Sequence, residues 1–141
     1  MEISVHDNIL YGYTVVREGY NSHVYTITLY TEFLDNSPVE YTDIVFTGVA
    51  AHHFESELAN SILFDVEKTE PERIYNDNQE LFERLKNYGW PWMYTTTEEL
   101  FAAIKTRQLK AFAISASYGI DGWIWAKDMR KIPRAERKEF D

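Results

Sequence analysis

Apolar and polar positions alternate over residues 23–33: Tyr25, Ile27, Leu29 and Phe33 fall on one side, Thr26, Thr28 and Glu32 on the other. A period of two predicts a half-buried strand. Residues 9–17, rich in β-branched and aromatic side chains, predict a partner strand. Residues 18–22, with Gly19 and Asn21, supply the turn between them. The pattern breaks at Asp35, Asn36, Ser37 and Pro38. Residues 41–50 are more continuously apolar and predict a third, central strand, with His52, His53, Phe54 and Glu55 as a candidate extension. Residues 61–67 predict a fourth, with Ile62, Phe64 and Val66 inward.

The period then changes. Ile74, Leu81 and Leu85, joined by Tyr75, Phe82 and Tyr88, recur at helical spacing. Thr69 and Glu72 have the spacing of a capping box, Pro71 suits a first helical turn, and Gly89 suits a stop. One helix running from the Thr69 cap to the Gly89 stop is therefore expected. A loop follows with Trp90, Pro91, Trp92 and Tyr94, and Thr96 with Glu99 forms a second capping box ahead of a short helix bearing Leu100, Phe101 and Ile104. Residues 111–117 and 122–127 predict a closing hairpin. Beyond Met129 the chain is basic, polar and interrupted by Pro133, so residues 130–141 are expected to fray.

Strands segregated from helices predict an α+β fold: one domain over residues 1–141, with an antiparallel-rich sheet of five or six strands. Two helices would pack on one face, in the order ββββααββ.

Composition narrows the chemistry. The 141 residues contain no cysteine, which excludes disulfides, thiolate metal sites and cysteine nucleophiles. Residues 32–99 hold fifteen carboxylates against four bases, whereas residues 100–141 hold nine bases against five carboxylates. A net charge of −9 repels nucleic acid and anionic membrane and favours a basic protein or a cation. Glu2, Asp7 and Asn8 stand where a signal peptide needs an apolar core, and no apolar run approaches a membrane span, so a cytoplasmic protein is expected.

Three groups of residues carry candidate chemistry. His53 and Glu55 share a strand face and suit a metal, while the adjacent His52 points the other way. A closed site needs further ligands that the spacing does not supply, so no metal and no cofactor is expected. Trp90 and Trp92 either plug one end of the core or anchor a partner. Glu72, Asp77, Glu80 and Glu83 form the acidic part of the first helix. There is no Gly-x-Ser-x-Gly elbow and no glycine-rich phosphate loop between a strand and a helix.

The run Tyr41 to Glu55, followed by Ile62 to Glu67 and the capped helix, resembles a stretch of small, acidic, uncharacterised bacterial proteins in the style of toxin-immunity factors. That resemblance implies a binding role and carries over no catalytic residue. The expected function is thus a non-catalytic protein that engages a basic partner, with Glu72, Asp77, Glu80 and Glu83 steering encounter and Trp90 and Trp92 as anchors. The alternative is a carbohydrate or small-ligand binder, or a hydrolase, with tryptophans and carboxylates in one cleft.

Overall fold

The computed structural model describes residues 3–20 and 22–140. Within them the order is β1 (Ile9–Arg17), β2 (Tyr25–Phe33), β3 (Glu40–Val49), β4 (Ala51–Glu55), β5 (Ser61–Thr69), α1 (Pro71–Asp77), α2 (Gln79–Lys86), α3 (Thr97–Thr106), β6 (Lys110–Tyr118), β7 (Asp121–Ala126) and β8 (Asp128–Arg134). The strands form one antiparallel sheet, ordered β4-β7-β6-β5-β1-β2-β3-β8. The fold is α+β, as expected, with eight strands and three helices among the described residues in place of five or six and two.

Chain continuity explains most of the difference. β3 and β4 are separated by Ala50 alone, and β7 and β8 by Lys127 alone, yet β4 and β8 lie at opposite ends of the strand order. The Ala50 N–H donates to the Trp125 carbonyl at 2.9 Å, and the Lys127 N–H donates to the Thr47 carbonyl at 3.0 Å. Two long bent strands therefore pair along their length, and the sheet curls back on itself. Between the Thr47↔Asp128 and Ala51↔Trp125 pairs, four steps on one strand match three on the other. That extra residue is a bulge, which bends the strand. Gly48, at φ +62°, takes the left-handed conformation the bend requires.

Curling creates two apolar layers. Ile27, Leu29, Ile44, Phe46, Leu63, Phe112, Ile114 and Ile124 fill the interior. On the other face of β4, β6 and β7, Ala51, Ala111, Trp123 and Trp125 pack against Ile74, Phe82, Leu100 and Ile104 of the helices.

Four local expectations are corrected. The single helix is two, broken at Asn78, whose side-chain amide donates to the Ile74 carbonyl at 2.7 Å. The Thr69–Glu72 capping box does not form, because Thr69 is still paired with Ala111 in the sheet and Glu70 occupies the cap position. At Thr96 the box does cap: its hydroxyl accepts from the Glu99 N–H at 3.2 Å, and the Glu99 carboxylate accepts from the Thr95 N–H at 3.0 Å. Phe64, expected inside, is 51% exposed because the register slips between Leu63 and Asp65. Finally, residues 130–134, expected to fray, lie in β8 and pair with β3, and residues 135–140 continue onto the sheet. Pro133 is tolerated there because it sits on a strand with an open edge. Among the described residues no helix is long and apolar enough to cross a membrane.

Candidate functional site

The break at Asn78 brings two helix ends beside the last residues of β4. Asp77 closes α1, while Gln79 and Glu80 open α2. Together with His53, Glu55, Leu81 and Arg84 they line a polar cleft of about 320 Å³. Ligand sites begin at roughly this size.

Strand alternation places His53 and Glu55 on one side of β4, opposite Trp123 and Asp121, and their side chains meet at 3.2 Å. Glu55 stands directly across from Asp121, a like-charge pair that costs sheet stability. The Asp121 carboxylate accepts a hydrogen bond from the Ala116 N–H at 3.3 Å. Asp77 is 68% exposed and pairs loosely, at 4.0 Å, with Arg73. Glu80 is exposed in the first turn of α2, where the helix dipole favours an anion. Three carboxylates, Glu55, Asp77 and Glu80, thus border the cleft against one cation, Arg84.

Of the four acidic helix residues singled out from the sequence, Asp77 and Glu80 converge here and Glu72 and Glu83 do not line the cleft. Glu83 lies on the side of α2 towards Tyr94, whose phenol is pushed up mainly by burial and further by Tyr75 and Glu83.

His53 and Glu55 do come together, but among the described residues no group of three histidine, cysteine or acidic side chains is placed to hold a metal. His52 turns inward, as alternation requires. Its Nδ1 is 2.7 Å from the Tyr25 hydroxyl, and its ring sits 5.0 Å from that of Phe54. Burial pulls the imidazole below its ordinary pKa against a smaller opposing pull from Glu57, and His53 lowers it further.

The tryptophans pack rather than project. Trp90 lies 4.9 Å from Phe82 and 6.0 Å from Trp123. Trp92 lies 6.0 Å from Trp125, under the Arg107 guanidinium at 4.3 Å. Both are partly buried members of the layer beneath the helices. Trp92 also lines a cavity of about 270 Å³ with His23, Pro91, Met93 and Arg107, and none of its lining residues is acidic. Tryptophan and carboxylates are therefore not assembled in one of these clefts.

Sequence reasoning missed the contribution of β4 to the acidic site, because nothing local reveals that the chain bends at Ala50 and returns beside α1 and α2. Compared with protein-family models, curated proteins and solved structures, the chain matches none.

Proposed function

We propose that the chain is a non-catalytic binding protein, in the style of a bacterial cytoplasmic immunity factor, that engages a basic protein partner at this cleft. The observation carrying the reading is the convergence of Glu55, Asp77 and Glu80 on a cleft large enough for one lysine or arginine side chain. Glu72 and Glu83 extend the negative field along the same helices and would steer encounter. Trp90 and Trp92 hold the helices against the sheet on this reading, rather than touching the partner.

Salt-dependent capture tests it. The tagged chain should retain a basic protein at low salt and release it at high salt, while Asp77→Lys with Glu80→Lys should retain none. Equal retention by that variant would overturn the assignment of the cleft. A second reading, a small-ligand domain, draws support from an apolar cavity of about 310 Å³ between β1 and residues 57–61, walled by Leu10, Tyr13, Leu58 and Ile120.

A further inference from the structure

The face of β1, β2, β3 and β8 turned away from the core has its own chemistry. Ile27 and Leu29 point inward, so Thr28, Tyr30 and Glu32 point outward. Residues directly opposite across a ladder share a face. Gly12, Tyr30, Asp43 and Ile132 therefore form one outward row, and Glu32, Tyr41 and Arg134 the next.

Residues 134–140 lie across these rows. The Arg134 Nη1 donates to Asp43 Oδ2 at 3.4 Å, and Arg137 Nε is 3.7 Å from Glu32 Oε2. The Arg137 guanidinium covers the Tyr11 ring at 4.3 Å. The Lys138 N–H donates to the Tyr11 hydroxyl at 2.9 Å. Phe140 meets Tyr30 edge-on at 5.2 Å and Tyr11 at 6.3 Å.

This occupancy is incomplete. Asp43 is only 8% exposed, yet its Oδ1 has no hydrogen-bond partner. A buried carboxylate oxygen without a donor is costly, and a guanidinium presented as a fork would satisfy both oxygens where Arg134 reaches one. Phe140, for its part, remains 46% exposed. The tail makes the contacts of a ligand without completing them.

We propose that this outer face is a binding site for an arginine-bearing segment of a partner protein, with Asp43 and Glu32 as the carboxylates and Tyr11 and Tyr30 as the aromatic wall, and that the chain's own residues 134–140 occupy it in the absence of that partner. The site shares no lining residue with the cleft at α1 and α2, and it stands whether or not that cleft binds anything. Recognition combines charge-assisted hydrogen bonds with a cation stacked on an aromatic ring. The partner's arginine and the tail compete for the same atoms, so the partner's affinity is scaled down to the fraction of time the tail is undocked.

The test uses the full chain and a fluorescein-labelled peptide spelling residues 134–140. Arg137→Ala with Phe140→Ala loosens the tail and should bind the peptide about tenfold or more tighter than the unaltered chain. Adding Glu32→Gln should remove that gain. Gly12→Val added to the loosened chain fills the place the Phe140 ring takes, so it should weaken peptide binding. Failure of the peptide to bind saturably to the loosened chain while that chain melts cooperatively would overturn the proposal. Equal affinity in loosened and unaltered chains would overturn the competition.

Discussion

Phe140 rests on Gly12: a Cβ added at residue 12 would come within 2.8 Å of the ring. The glycine thus serves close approach, and residue 12 and the tail exclude one another once residue 12 carries a side chain. Gly12→Val should leave the β1–β2 ladder intact and expose residues 135–140. Limited proteolysis checks this, with faster cleavage after Arg137 and Lys138 as the expected result and unchanged cleavage as the contrary one.

His52 makes stability depend on pH. Burial first, and His53 after it, lower its pKa in the folded protein, with Glu57 opposing, while the unfolded chain titrates at the ordinary value of about 6.5. The unfolded chain therefore binds the proton more readily. The stability contributed by neutral His52 is complete above that ordinary value and is lost as pH falls below it. Tyr25, pushed up to about 12 by burial, stays protonated throughout and can donate to Nδ1 only while the ring is neutral. Urea melts from neutral to mildly acidic pH should show this loss, and His52→Gln should flatten it. An equally steep loss in the variant would assign the effect elsewhere.

Phe82 is the hub of the layer under the helices. It is fully buried, with ring centroids 4.9 Å from Trp90, 5.7 Å from Trp123 and 5.2 Å from Trp125. Phe82→Ala should cost about 3–5 kcal/mol in a chemical denaturation measurement, the usual range for a truncated core aromatic. A loss within about 0.5 kcal/mol, as at a surface site, would contradict the packing described.

Elements built on a local signal were legible in the sequence. The alternation of residues 23–33 became β2 with Ile27 and Leu29 fully buried. The Thr96 cap and the hairpin carrying Trp123 and Trp125 also formed as the pattern implied. Signals that tertiary pairing can override were less reliable. Thr69 has the chemistry of a cap but stays in β5, where a ladder partner on β6 is already present. Residues 130–134 have the composition of a loose tail, yet β3 offers them an unpaired edge.

The candidate sites divide in the same way. His53 with Glu55, and Asp77 with Glu80, are neighbours along the chain, so each pair could be named from spacing alone. Their meeting in one cleft depends on β4 crossing to the far end of the strand order. The pairing of the basic tail with Glu32 and Asp43 was foreshadowed by the opposed charges of the two regions, though charge alone selects no partner among fifteen carboxylates.

By itself the sequence determined the class of fold, the antiparallel strands and the net charge of each stretch of chain, because propensity, period and charge act over a few residues. Tertiary structure alone decided where the two long strands bend, which carboxylates converge and what the tail covers. Those outcomes depend on contacts between residues far apart in the chain, such as Ala50 with Trp125 and Asp43 with Arg134, and burial forms such contacts only when the sheet closes.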